Sequence, residues 1–445
     1  MPNNILIKGA KIVNDGTIFT ADLKIVGKRI EQISSEIAAK ANDRVIEANG
    51  QYLLPGMIDD QVHFREPGLT QKGTIRSESL AAVAGGITSY MEMPNVNPAT
   101  TTIEALESKF NIAKQTSAAN FSFYLGATED NLEQIKSLDP TKHCGVKVFM
   151  GASTGDLLVE APEALDAIFR DSPTLIVTHC ENTPMILSNV AAYRDAEKIP
   201  TILDHPKLRD HNACYASSSY AVDLAKKYGS QLHVLHITTA KELDLFEPGD
   251  IEGKKITAEA CVHHLWFCDE DYPSLGNLIK CNPAIKSKND RDAILHALQS
   301  GQIDIIATDH APHTFEEKQQ AYEKAPAGLP LVQHALLTLL EHVDKGRLTF
   351  EQLVEKAMHN PSKRYGIQER GYIREGYFAD LVLVDTADSY EVTDENILYH
   401  CGWSPFKGVK FSSTITGTWV NGEQVYDGKS VVMIPGVAER LSFAR

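Results

Sequence analysis

The segment Asp59-Asp60-Gln61-Val62-His63-Phe64-Arg65-Glu66-Pro67-Gly68 sets carboxylates, an amide, an imidazole and a guanidinium directly behind the apolar pair Met57-Ile58. That order suits a strand end that presents a metal ligand, with a substrate-binding arginine two residues on. Polar residues of the same kinds follow other apolar runs. Glu92-Met93-Pro94-Asn95 ends one, Thr178-His179 another, Leu235-His236 a third and Ala307-Thr308-Asp309-His310-Ala311-Pro312-His313 a fourth. Lys147 sits inside the otherwise apolar Gly145-Val146-Lys147-Val148-Phe149-Met150, where a buried ammonium needs a partner or a changed chemical state. A single histidine on a strand is more often a packed core residue than a ligand. Several imidazoles and carboxylates on separate strand ends, with a buried lysine, point instead to a metal site. Such donors bind Zn²⁺-like ions, and water held by such an ion approaches a neutral pKa. A carboxylate beside that water can take its proton and pass it to a leaving nitrogen. The pattern therefore predicts metal-assisted hydrolysis.

Elements must bring these residues together. Apolar strand-like runs alternate with helical stretches through the middle of the chain: Met57–Ile58, Ile87–Met93, Phe121–Leu125, Val146–Phe149, Leu175–Thr178, Leu232–Leu235, Ile256–Ala258 and Ile303–Ala307. Regular strand–helix alternation predicts parallel strands with helical crossovers, and eight such units predict a (β/α)8 TIM barrel. In a barrel the active site lies at the C-terminal strand ends, where the polar residues fall. No G-x-G-x-x-G follows the first strand, so an open dinucleotide-binding sheet is the weaker alternative. Short strands punctuated by Asn14-Asp15-Gly16, Asn49-Gly50 and Asn421-Gly422 occupy both ends of the sequence. They predict a small β-sandwich domain built from residues 1–54 and 368–445, flanking a catalytic barrel over 55–367.

The chain has 445 residues, 43% hydrophobic and 23% charged, which is ordinary for a soluble globular protein. Its net charge of −16 argues against a nucleic-acid partner, but one local arginine can still dominate a pocket for a small anionic substrate. No apolar run approaches the roughly 20 residues needed to span a bilayer, and no basic and then apolar leader opens the sequence; the expectation is a cytoplasmic protein that does not enter a membrane. Seven scattered cysteines without a C-x-x-C pair read as reduced thiols.

Three segments carry a family resemblance. They are Pro55-Gly56-Met57-Ile58-Asp59 with His63-Phe64-Arg65-Glu66-Pro67-Gly68; Ala84-Gly85-Gly86-Ile87-Thr88 with Met93-Pro94-Asn95; and Ala307-Thr308-Asp309-His310-Ala311-Pro312-His313. Together they resemble the amidohydrolase superfamily, and within it the dihydroorotases, over nearly the whole chain. The resemblance implies a (β/α)8 barrel with a small β-domain from both termini. It implies reversible cyclisation of N-carbamoyl-L-aspartate to L-dihydroorotate in pyrimidine synthesis, with one or two zinc ions per chain. By position, His63 and Asp309 would hold one zinc, His179 and His236 the other, and a carboxylated Lys147 would bridge them. Asp309 would also be the catalytic base and then acid. Arg65 would grip the substrate carboxylate, a task suited to a planar two-pronged donor. Asn95 and His313 would assist it, and Asn282 would meet the pyrimidine ring. A homodimer is an arrangement the resemblance allows.

Gln61 departs from the family pattern, which has a zinc-binding histidine there. Its amide oxygen is a weaker ligand than imidazole, so the zinc site of His63 and Asp309 is expected to be the weaker one. Asp59 could compensate; Asp60 should point away from Gln61 and His63. His263-His264 fit supporting roles better than ligation; Glu259, just past its strand, could approach a metal as in some family members but is not counted among the ligands; Cys180 fits packing, and Ser153-Thr154 fit a surface turn or a closing loop. Two other readings remain open: another cyclic amide hydrolase of allantoinase or hydantoinase type, or a non-catalytic subunit supporting aspartate carbamoyltransferase.

Overall fold

The computed structural model describes residues 4–151 and 157–445; Ser153-Thr154 lie outside them. Met57–Val62 pairs in parallel with Ile87–Glu92, which pairs in parallel with Asn120–Phe123. The chain continues as Leu125–Gly126 beside Val146–Met150. Ile176–Cys180, Leu232–Val234, Ile256–Cys261 and Ile305–Ala307 then follow, each parallel to the one before. Val62 makes a parallel bridge to His310, and the His63 N–H donates to the His310 carbonyl at 2.7 Å. The last strand segment thus returns to the first.

Every residue of Met57–Val62, Ile87–Glu92, Val146–Met150 and Ile176–Cys180 is buried. Parallel strands covered on both faces read as continuous apolar runs, and this explains why they are legible in the sequence. The helix His211–Tyr228 illustrates the covering layer. Asp210 caps it by accepting the Ala213 N–H at 2.9 Å, and Gly229 ends it at φ 71°. Ala213, Cys214, Ser217, Ala221, Leu224 and Ala225 form its buried stripe at three- and four-residue spacing.

A second sheet of eight strands draws on both ends of the chain. Asn4–Asn14 and Thr17–Val26 form a hairpin turned by Asp15 and Gly16, both at positive φ. Ile5–Ile7 and Lys11–Val13 belong to one strand, interrupted by a register shift between Ile7 and Ala10, with Gly9 at φ 64°. Tyr52–Pro55 joins this part to Leu381–Asp385, and Thr414–Val420 and Glu423–Tyr426 continue the sheet. Ile5, Ile12, Leu23, Leu53, Leu381 and the fully buried Trp419 share its core.

Candidate active site

Eight of the nine residues singled out as ligands or substrate contacts line one cavity of about 40 Å³: His63, Arg65, Asn95, Lys147, His179, His236, Asn282 and Asp309. Gln61 lines it too. His313, the ninth, stands beside Arg65, with Nε2 at 3.1 Å from Nη2. Strand ends explain the convergence: Lys147, opposite Val177, and His179, opposite Phe149, lie on adjoining strands, and His236 and Asp309 lie two residues beyond theirs. Three of these residues, Arg65, His236 and Asp309, have φ of 72°, 40° and 51°. Side chains other than glycine rarely adopt that region, at a cost on the order of 1 kcal/mol or more each, so the surrounding contacts must hold them there.

On one side His179 Nδ1 lies 3.0 Å from His236 Nε2. Burial keeps both rings below the ordinary imidazole pKa, His236 well below it with His179 and Lys147 adding to the effect. Glu181 stands behind His179, Oε2 to Nε2 at 3.3 Å, and also pairs with Arg209. Burial alone would raise the Glu181 pKa, but Arg209 and His179 bring it down to about 2. A carboxylate behind a ligating histidine fixes its tautomer and orientation. Glu259 serves His236 differently, accepting its backbone N–H at 3.1 Å on Oε1. Glu259 lies inside the strand Ile256–Cys261, not past it; the apolar run in the sequence is shorter than the strand because this buried carboxylate interrupts it. Its other oxygen faces His233 at 3.6 Å, and His233 in turn faces Asp60 at 3.3 Å. All three are fully buried. Burial would lower the His233 pKa, but Asp60 and Glu259 beside it raise it above the usual range, while burial and the neighbouring Asp60 raise that of Glu259 to about 7.

On the other side Asp309 Oδ1 receives the Gln61 Nε2 donor at 3.1 Å and faces His63 Nε2 at 3.0 Å. His63 Nδ1 lies 2.7 Å from Asn95 Oδ1. Burial holds His63 below its ordinary pKa against the pull of Asp309. A neutral ring that donates from Nδ1 to Asn95 has a lone pair on Nε2. Two acceptors, that nitrogen and a carboxylate oxygen, then face each other at 3.0 Å, an arrangement completed by a cation between them. Asp59 does not line this cavity. Its carboxylate accepts the Thr308 hydroxyl at 2.6 Å and the Thr308 N–H at 3.1 Å, pinning the backbone before Asp309. Asp60, turned toward His233 and Tyr365, points away as expected. Lys147 is 1% exposed, with Nζ 4.7 Å from the centre of the Phe149 ring. Burial lowers its pKa to about 8, against the pull of Asp309 and Glu259.

Arg65 completes the wall. Its Nε donates to the Pro312 carbonyl at 3.0 Å. Lys72 Nζ, which can only donate, approaches His313 Nδ1 at 3.0 Å; burial and the Arg65 charge keep His313 neutral, with a pKa of about 3. Its proton is therefore on Nε2, where the Ala327 carbonyl accepts at 3.0 Å. Arg65 Nη2 finds no acceptor on that nitrogen. Among the described residues no carboxylate lies within 4 Å of the guanidinium, although Arg65 is 5% exposed. Asn282 also turns to the cavity, with Oδ1 buried and without a hydrogen-bond partner.

Glu181 and the Asp60–His233–Glu259 triad were not singled out from the sequence as parts of the site. Their partners are distant in the chain, and only an H-x-x-H spacing at His233 and His236 hints at the triad. Cys261, His263 and His264 also gather donor atoms within 4.8 Å. His264 Nε2 is 3.1 Å from the Pro283 carbonyl, burial lowers the His263 pKa to about 4, and neither lines the cavity. Cys180 packs, its thiol on Thr178.

A profile of the amidohydrolase family matches residues 52–425. The chain belongs to the amidohydrolase family. It is accordingly a hydrolase. Among curated relatives, the dihydroorotase of Halobacterium salinarum is 32% identical over 433 residues, covering 96% of this chain and 97% of its own. The dihydroorotase of Anoxybacillus flavithermus is 32% identical over 435 residues, covering 95% and 98%. Among solved structures, the L-hydantoinase (dihydropyrimidinase) of Arthrobacter aurescens superposes with a TM-score of 0.94 at 26% identity, covering 99% of this chain and 100% of that one. The dihydropyrimidinase of Brevibacillus agri, at 24% identity and a TM-score of 0.88 with the same coverage, has the same fold. Members of this amidohydrolase fold carry the mixed α/β architecture with parallel sheets seen here.

Proposed function

We propose that this hydrolase is a dihydroorotase, which opens L-dihydroorotate to N-carbamoyl-L-aspartate and closes it in reverse, in pyrimidine synthesis. The observation that carries the reading is Arg65: a buried guanidinium on the cavity wall with no carboxylate within 4 Å among the described residues, Asp309, Glu92, Glu317 and Glu78 acting on it only from farther away. Burying such a charge is costly unless an anion meets it. The carboxylate of dihydroorotate is that anion, with Asn95 and His313 beside it and Asn282 toward the ring. The dihydroorotase-named relatives at 32% identity support the same substrate. We also read the eight successive parallel strands as a (β/α)8 barrel over residues 55–367, with the second sheet as a composite β-domain from 1–54 and 368–445.

The donor set fits zinc. His63 Nε2 and Asp309 Oδ1 face each other as two acceptors, and two imidazole nitrogens converge at 3.0 Å across the cavity. His63 and Asp309 would hold one ion, His179 and His236 the other, and Lys147 would join them. When bound, zinc acidifies water and polarises the ring carbonyl. The chain's own residues do the rest. Arg65 fixes the substrate carboxylate, which orients the ring amide toward Asp309. Asp309 takes the proton of the attacking water and delivers it to the departing ring nitrogen; in the closing direction it runs the same transfer backwards. Glu181 and Glu259 keep the two histidines in place. The lowered pKa of Lys147 gives a neutral amine fraction near pH 8. That amine can add to CO₂, forming an N–C bond and releasing a proton, so that a buried cation becomes an anionic carbamate ligand.

A hydantoinase-type activity is the second reading, favoured by the 0.94 TM-score to an L-hydantoinase. Those ring substrates lack the carboxylate that Arg65 awaits. Arg65→Gln separates the two. In the zinc-loaded protein it should raise KM for dihydroorotate on the order of 10²-fold while leaving zinc content unchanged. An unchanged KM would remove the carboxylate assignment.

A further inference from the structure

Lys318 is 1% exposed, and its ammonium is surrounded by backbone carbonyls. Nζ donates to Lys280 at 3.1 Å, Pro326 at 2.9 Å and Gly328 at 2.8 Å. Three acceptors use all three protons of the charged form; a neutral amine would leave one without a donor. Lys280, 8% exposed, repeats the device, donating to the carbonyls of Tyr322 at 2.5 Å and Ala325 at 2.6 Å. Two buried ammonium groups therefore tie down the segment Tyr322–Gly328.

The other face of that segment belongs to the cavity. Ala327 and Gly328 line it, and the Ala327 carbonyl accepts from His313. Gly328 has φ 139°, and a Cβ there would fall 2.4 Å from the Ala311 carbonyl oxygen, so its backbone presses on the end of the strand that carries Asp309. Arg65 lies on the same wall. Burial lowers the Lys318 pKa to about 7, with Cys281 and Glu317 opposing the shift and Lys280 and Arg65 adding to it. Among the described residues, no carboxylate lies within 4 Å of Lys318, Lys280 or Arg65. Of the three only Arg65 lines the cavity; Asp309, Glu92, Glu317 and Glu78 act on it at longer range, and Glu323 acts on Lys280. The staple reaches the carboxylate subsite through Ala327, whose carbonyl accepts from the His313 that stands beside Arg65.

We propose that Lys318, seconded by Lys280, is a specificity-determining positioning residue that sets the Ala327–Gly328 wall, and through it His313 beside Arg65, so that the cavity selects a ring bearing a free carboxylate over a neutral ring. The proposal rests on the carboxylate subsite assigned to Arg65. It is tested on the zinc-loaded full chain by comparing wild type with Lys318→Met, using L-dihydroorotate and neutral 5,6-dihydrouracil as probes. Calorimetric binding constants are measured beside steady-state rates. The expected result is dihydroorotate binding and KM weakened on the order of 10-fold, kcat within about 3-fold, unchanged zinc content and unchanged affinity for dihydrouracil. Equal weakening for both probes, or a fall in kcat at constant KM, would mean a structural staple and overturn the proposal. Should Lys318→Met not fold, Lys280→Met carries the same expectation, and an unaltered ratio of the two affinities would overturn it. Because binding is read without turnover, a wild type that binds dihydroorotate selectively but does not open it tells against the proposed activity and not against this role.

Discussion

At the scale of single residues, Gln61 is the informative departure. Its amide nitrogen faces the Asp309 carboxylate, which can only accept, and its oxygen faces the Cys261 thiol at 3.7 Å. Both contacts fix the same orientation of the amide, and neither leaves its oxygen aimed at His63. Gln61 is thus a donor to the proposed base. Zinc on the His63–Asp309 side should accordingly be the first lost. On dialysis against graded chelator, wild type should pass through a plateau of one zinc per chain, and Gln61→His should retain two over the same range; identical release curves would contradict this. Lys147 gives a second prediction. Its folded pKa of about 8 lies below the ordinary 10.5, so between those values the unfolded chain binds more protons than the folded one. Stability then rises with pH across that window, and the burial penalty is fully present below pH 8. Metal-free Lys147→Met should be more stable than metal-free wild type at pH 7, on the order of 1–3 kcal/mol, with the gap narrowing by pH 10 in denaturant titrations. These residues were legible in the sequence because each interrupts an apolar run with a group able to do chemistry. Glu181 was not, since what marks it is its pairing with Arg209 and His179, and pairing is invisible without the fold.

Among the elements, the strands carry the account. They were readable as apolar runs, but their ends were drawn short wherever a polar residue continued the strand. Asp59, Asp60 and Gln61 lie inside Met57–Val62, and Glu259 inside Ile256–Cys261. A buried strand tolerates such residues when another segment supplies the partner, as Thr308 does for Asp59 and His233 and Tyr365 do for Asp60. That compensation runs between segments far apart in the chain, so no local pattern announces it. The same logic explains how His236 keeps φ 40°: Glu259 accepts its N–H at 3.1 Å, with His233 standing 3.6 Å from the other Glu259 oxygen. Glu259→Ala should weaken zinc binding about 10- to 100-fold, while Glu259→Gln, which keeps an acceptor, should weaken it less. Competition with a chromogenic chelator reads both; equal affinities for wild type and Glu259→Ala would show that the triad only packs.

For the whole molecule, the two ends of the chain build one sheet and the middle builds the parallel strands, and both features were foreseen from the switch between short punctuated strands and strand–helix alternation. What the pattern could not give is the local charge. The chain is acidic overall, yet the cavity wall carries Arg65, and Lys280 and Lys318 stand behind it on the Tyr322–Gly328 segment. Net charge averages over the surface, whereas substrate choice depends on the few groups that face it. Among the described residues no helix is long and apolar enough to cross a membrane. The central claim is that this arrangement turns over a carboxylate-bearing cyclic amide. Its most direct test is to incubate the purified zinc-loaded chain separately with L-dihydroorotate, N-carbamoyl-L-aspartate, hydantoin and 5,6-dihydrouracil, and to quantify the products. Interconversion of the first two, with the neutral rings left intact, is the predicted result; hydrolysis of hydantoin or dihydrouracil without interconversion of the first two would contradict it.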